Sequence, residues 1–197
     1  MKNILVAYTT NSGSTLEIAS AIAEELQKNQ VEVDLKRIEE VSELLNYDAV
    51  VIGAPMIMGW HKTAVNFIKK NQAVLSTKSV AYFLAAMSLT ELPESNSDPI
   101  PVFLDPNLAV PPRNPQRLSY KERFATVSNY LKPVLKAAPG VKPVSVAFFG
   151  GKLELFRLKW WAMLFVMVII QASPRDLRNF TFIREWAAGL YPSLIKN

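Results

Sequence analysis

Short apolar runs and stretches of helical amphipathicity alternate along most of the 197 residues. Ile4-Leu5-Val6-Ala7-Tyr8 is a continuous run of strand formers. Beyond the polar stretch Thr10–Thr15, the residues Ile18, Ala19, Ile22, Ala23 and Leu26 recur at helical spacing, with Glu17, Glu24, Glu25 and Lys28 between them. Val31–Leu35 then alternates like a half-exposed strand at or near a sheet edge, and a short polar helix is expected over Glu39–Leu45. Ala49–Gly53 and Val80–Ala85 are continuous apolar strands, separated by a helical pattern over Trp60–Asn71 with Val65, Phe67 and Ile68 as its apolar members. A helix over Tyr120–Ala137, a fifth strand over Val144–Phe149 and a closing helix from about Ile183 to Leu190 complete the series.

Apolar strands interleaved with helices imply a parallel sheet covered on both faces. Right-handed crossovers then give a doubly wound five-stranded α/β sandwich. In such sheets a ligand sits beyond the carboxyl ends of the strands, where the winding reverses. Two segments break the alternation: the Pro-rich connection 88–119 and the stretch 151–179. Neither has the apolar periodicity to build its own core, so residues 1–197 read as a single domain with two inserts.

Composition narrows the chemistry. There is no cysteine, which excludes disulfides, thiol catalysis and Cys-ligated clusters, and with one histidine, His61, no protein-held metal is expected. Redox work would fall to an organic cofactor. The net charge of +5 points to an acidic partner, and no nucleic-acid signature accompanies it, so nucleic acid is not expected. The N-terminus runs straight into a strand without a signal-peptide pattern, from which a cytoplasmic location is expected.

Thr10-Asn11-Ser12-Gly13-Ser14-Thr15 joins the first strand to the first helix. A hydroxyl- and glycine-rich loop there gathers backbone N–H groups at a helix N-terminus, where the helix dipole also favours a phosphate. The plain alternative is a Ser/Thr cap on an ordinary turn. The loop matches neither the G-x-x-x-x-G-K-[ST] nor the G-x-G-x-x-G pattern, and it holds no Lys or Arg. A neutral cradle of this kind suits one phosphomonoester better than a triphosphate with its magnesium.

Thr10, Ser12, Gly13 and Thr15 fall on the specified positions of [ST]-x-[ST]-G-x-[ST], and at this point the chain resembles the flavodoxin family. The resemblance implies the strand order 2-1-3-4-5 and an FMN whose phosphate lies in Thr10–Thr15. The loop after the third strand is similar to the family's G-x-[SP]-x-x-x-G outline through Gly53, Pro55 and Gly59. On that reading Pro55, Met56, Ile57, Met58, Gly59 and Trp60 line the isoalloxazine ring, and either Met58 or Trp60 stacks on it. The alternative for the large apolar residues of this loop is packing onto the core or onto a partner subunit, and a homodimer is one such outcome. A third contact is expected from Met87 and Ser88. No aromatic stands in Met87–Thr90, so one ring face would be open to a substrate. His61 reads as a proton donor beside the cofactor, or as a helix cap or an exposed residue.

Trp160–Ile170 is eleven uninterrupted apolar residues, about 16 Å as a helix and roughly half a bilayer's hydrocarbon thickness. It cannot cross. With Lys152, Arg157 and Lys159 just before it, residues 152–170 read as a peripheral membrane contact or as buried packing. Phe149-Gly150-Gly151, this stretch, Pro174-Arg175-Asp176 and Ile183-Arg184-Glu185-Trp186 are similar to the C-terminal half of flavodoxin-type, menaquinone-dependent protoporphyrinogen oxidases. That resemblance implies a porphyrinogen substrate, hydrophobic and anionic, a quinone acceptor and a place at the inner face of the membrane. Lys62, Arg157 and Lys159 would be candidates for its propionates or for lipid phosphates, the plain alternative being solvated surface charge. An electron-carrier flavodoxin and an NAD(P)H:quinone reductase are the other readings. A carrier docks through acidic patches, which a chain of net charge +5 does not favour. No catalytic residue is assigned.

Overall fold

The computed structural model describes residues 1–56, 59–92, 100–153 and 175–196. Apolar runs become strands wherever the sequence expects them: β1 (Asn3–Tyr8), β2 (Glu32–Arg37), β3 (Ala49–Pro55), β4 (Ser79–Ala86) and β8 (Ser145–Gly150). With β6 (Val102–Leu104) they form one parallel sheet in the order β2-β1-β3-β4-β8-β6. The first five positions reproduce the expected 2-1-3-4-5 winding. The sixth strand is a departure from the five expected, and it comes out of the Pro-rich connection. Three residues beside Pro101, with Phe103 exposed, suffice for an edge strand because an edge needs partners on one side only. The same connection holds β5 (Leu89–Thr90) and β7 (Ala109–Val110), which pair with each other in parallel.

Both sheet faces are covered. On one, Ile4, Val6, Val51, Phe83 and Phe149 meet α1 (Ser14–Gln27) and α6 (Phe180–Ile195) through Ile18, Ile22, Trp186 and Leu190. On the other, Leu5, Ile52, Tyr82 and Phe148 meet α2 (Lys62–Lys70) and α5 (Val127–Ala137) through Ala64, Ile68, Tyr130 and Leu131. A four-residue helix, α3 (Gln72–Leu75), follows α2 and buries Leu75. Alternate residues of each central strand therefore feed opposite cores, which is why these strands read as continuous apolar runs.

Two helical expectations are corrected. Glu39–Leu45 is no helix; a single 3-10 turn spans Ile38–Glu40, because only Ile38 and Leu44 are fully turned inward, with Val41 half-buried between them and Leu45 75% exposed. Tyr120–Ala137 is two helices. Ser119 and Glu122 form a capping box on α4 (Tyr120–Phe124), and Thr126 restarts the chain by accepting from the Asn129 N–H. Among the described residues no helix is long and apolar enough to cross a membrane.

The apolar run Trp160–Ile170 lies outside the described residues; the chain on either side of it is tied together. Lys152–Leu153 (β9) pairs antiparallel with Arg175–Asp176 (β10), and the Leu177 N–H donates to Gly151 O at 3.0 Å. The guanidinium of Arg178, 6% exposed, grips Asp176 and reaches Glu17 in the first turn of α1 at 2.6 Å. That guanidinium holds the Asp176 carboxyl below its usual range. The contribution of this pair is therefore present above the ordinary carboxylate pKa and is lost as pH falls through the depressed one. Buried Asp105, just past β6, accepts from the N–H groups of Asn107 and Gly150 and from the Asn179 amide, so the sixth strand is anchored to the same place.

At Gly53 the neighbouring strand β4 leaves no room for a side chain. A Cβ there would stand 1.8–2.3 Å from three atoms of the Phe83 ring. Gly53→Ala is expected to cost about 1–3 kcal/mol of stability by overpacking. Urea denaturation checks this, and trimming Phe83 to Leu in the same chain should return part of the loss.

Candidate functional site

The carboxyl ends of β1, β3 and β4 bring three loops to one edge of the sheet, at residues 9–13, 56–61 and 87–88. The Thr9 N–H donates to Gly53 O at 3.0 Å and joins the roots of the first two. In the first loop Thr10 Oγ1 accepts from the Gly13 N–H at 2.9 Å, closing a tight turn. Gly13 takes φ +97°, a left-handed conformation that favours glycine, and serves as the N-cap of α1 without any side-chain cap. The N–H groups of Leu16 and Glu17 both turn onto Gly13 O, which leaves those of Ser14 and Thr15 as the orphan donors of the helix N-terminus.

The hydroxyl of Thr15 tests whether this loop fits a phosphate. Thr15 is 0% exposed, and among the described residues its Oγ1 is the one buried side-chain oxygen or nitrogen without a hydrogen-bond partner. Leaving such a group unpaired is costly. A phosphate seated among the amides of the first turn would supply its acceptor, so the residues present fit the phosphate end of a mononucleotide. Asn11 is exposed at the rim, with Ser12 and Gly13 half-buried beside it.

The second loop closes on itself. Met56 and Trp60 face each other as an antiparallel bridge, and Gly59 at φ +125° makes the reversal that a residue with a Cβ would resist. The Met56 N–H donates to Ala85 O at 2.8 Å, and the His61 N–H to Pro55 O at 3.2 Å. Of the large side chains expected to cover a ring, Met56 and Trp60 are 6% and 5% exposed and take the other course open in the sequence, packing into the core. The Trp60 indole donates to Ala54 O at 3.2 Å and lies 5.4 Å from the Tyr82 ring, tilted 57°. Ile57 and Met58 lie outside the described residues. In the third loop Met87 is half-buried near Gly151, while Ser88 is exposed and its carbonyl accepts from the Tyr130 hydroxyl.

His61 caps α2, the second course open to it in the sequence: its Nδ1 accepts from the Thr63 N–H at 3.3 Å. Its Nε2 stands 3.2 Å from Asn11 Oδ1, a contact across 50 residues of sequence that no local pattern announces.

A doubly wound parallel sheet whose first strand runs through a hydroxyl- and glycine-rich turn into the first helix is the architecture of the flavin-binding oxidoreductases built on the flavodoxin domain. This chain belongs to that flavodoxin domain family, which it matches over residues 5–176. Among individual proteins it is similar to "Protoporphyrinogen IX dehydrogenase [quinone]" of Escherichia coli strain K12. The two are 26% identical over 187 residues, covering 92% of this chain and 87% of that one. The fold is also that of a flavodoxin from the domain Archaea, with a TM-score of 0.52 at 11% identity over 98% of this chain and 99% of the other. The flavodiiron protein of Giardia intestinalis aligns with a TM-score of 0.51 at 11% identity, over 99% of this chain and 36% of its own length.

Proposed function

We propose that this chain binds one FMN noncovalently and oxidises a porphyrinogen, handing the electrons to a quinone. The observation that carries the cofactor assignment is the partnerless buried hydroxyl of Thr15 at the N-terminus of α1. Support for the reaction is the likeness to the Escherichia coli dehydrogenase across nearly the whole chain. When bound, FMN supplies hydride acceptance and one- or two-electron release. The protein's part is to hold it. Thr10–Thr15 surround the phosphate with amides and hydroxyls, and Pro55–Trp60, Met87 and Ser88 border the ring. With Trp60 and Met56 turned into the core, neither side chain covers the ring, and an open face admits a bulky planar substrate.

Anaerobic mixing tests the reaction. Protoporphyrinogen IX should bleach the flavin and menadione should restore its colour, while NADPH should leave it oxidised. Bleaching by NADPH alone would replace this reading with that of an NAD(P)H:quinone reductase.

A quinone acceptor also implies access to a membrane. Lys152, Arg157 and Lys159 precede the apolar run Trp160–Ile170, and each basic residue should add about 1 kcal/mol of attraction near anionic lipid. The protein should co-sediment with anionic vesicles, much less with neutral ones, and less again as salt rises. Wild-type protein that ignores both kinds of vesicle would remove the membrane from this account.

A further inference from the structure

We infer that His61 is a positioning residue for the phosphate cradle, bracing Thr10–Thr15 against the loop after β3 through Asn11. The inference rests on the FMN reading above. The imidazole has its two nitrogens committed to different tasks. Nδ1 accepts the Thr63 N–H at 3.3 Å and so carries no proton. The ring proton is thereby placed on Nε2, 3.2 Å from Asn11 Oδ1, and the bond runs from His61 Nε2–H to the Asn11 carbonyl oxygen.

The backbone of His61 is fixed as well. Its N–H donates to Pro55 O at 3.2 Å, and its carbonyl accepts from Ala64 and Val65 at 3.0 and 3.2 Å. A side chain anchored this firmly is a rigid post beside an exposed loop residue. Asn11 sits between Thr10, whose hydroxyl closes the turn on Gly13, and the first-turn amides. Holding Asn11 holds the curvature that points those amides at one spot, and a cradle ordered before the ligand arrives binds it more tightly. The brace also sets the distance between the phosphate loop and the ring-side loop, which one ligand has to span.

Two conservative replacements separate the tasks of the two nitrogens. In His61→Asn the amide oxygen stands near Nδ1 and still caps Thr63, as Asn does at helix N-termini, but nothing reaches Asn11. In His61→Gln the terminal amide extends to the place of Nε2 and donates to Asn11, while the cap is lost. The expected result is that H61N unfolds in urea like the parent but binds FMN three- to tenfold more weakly. H61Q should bind FMN within twofold of the parent, at a lower unfolding midpoint. Asn11→Ala should lose about the same affinity as H61N, and the H61N/N11A double variant should lose little more. FMN binding by H61N equal to the parent's would overturn the inference, as would equal losses in H61N and H61Q. The ¹⁵N shifts of the imidazole in the cofactor-free protein report the tautomer independently. A proton on Nδ1 would overturn the brace even with FMN tightly bound. Failure of the parent to bind FMN at all, with the Nε2–H tautomer intact, would instead overturn the reading of the site and the role of the brace with it.

Discussion

Thr15→Val is expected to stabilise the cofactor-free protein and weaken FMN binding at the same time. The side chain is fully buried and its hydroxyl has no partner. Removing a buried unsatisfied group while keeping its shape recovers a desolvation penalty of about 1–3 kcal/mol, most of which should appear as a higher urea midpoint. A hydrogen bond to a charged phosphate is worth about 1.5–3 kcal/mol, so the same change should raise the Kd for FMN roughly ten- to hundredfold. Opposite signs in the two measurements would mark a group built for a ligand. A Thr15→Val protein that is less stable and binds FMN normally would mean that the hydroxyl serves the fold alone. Ser12→Asp, on the half-buried side of the loop, places like charge beside the phosphate and should weaken binding at least tenfold, about 1.4 kcal/mol.

Trp60→Ala is expected to act in the other direction, on the fold first. The indole is 5% exposed, hydrogen-bonded to Ala54 O at 3.2 Å and packed on Tyr82. Truncating a buried Trp to Ala typically costs about 3–5 kcal/mol through lost burial and the cavity left behind. Urea denaturation monitored by circular dichroism should show that loss with or without FMN. Trp60→Phe, which keeps most of the volume and loses the bond to Ala54, should recover much of it. A Trp60→Ala protein as stable as its parent, with FMN binding lost, would return the indole to the flavin ring.

The parts of this fold that the sequence discloses are the ones fixed by local pattern. β1, β3, β4 and β8 are apolar runs buried on both faces, and their short length and their β-branched and aromatic residues mark them as strands. The tight turn from β1 into α1 is legible for the same reason, since its glycine, hydroxyls and helix start are neighbours in sequence. The edge strand Val102–Leu104 is not, because three residues beside Pro101 carry no periodicity and are recruited by the free edge of β8. Glu39–Leu45 has the composition of a helix without the stripe needed to bury one. Trp60 has two fates open to it in the sequence, and its inward turn depends on the left-handed Gly59 and on the pairing of Met56 with Trp60. The contact of His61 with Asn11 belongs wholly to the tertiary structure, and residue type alone shows only that a histidine stands near a loop.

The assignment as a whole stands on the identity of the bound flavin. The protein purified with its cofactor and denatured in heat should release FMN, in a ratio near one per chain, identified by mass and by its ability to reconstitute the cofactor-free protein. Release of FAD, or of no flavin from a folded protein that also fails to take up added FMN, would contradict it.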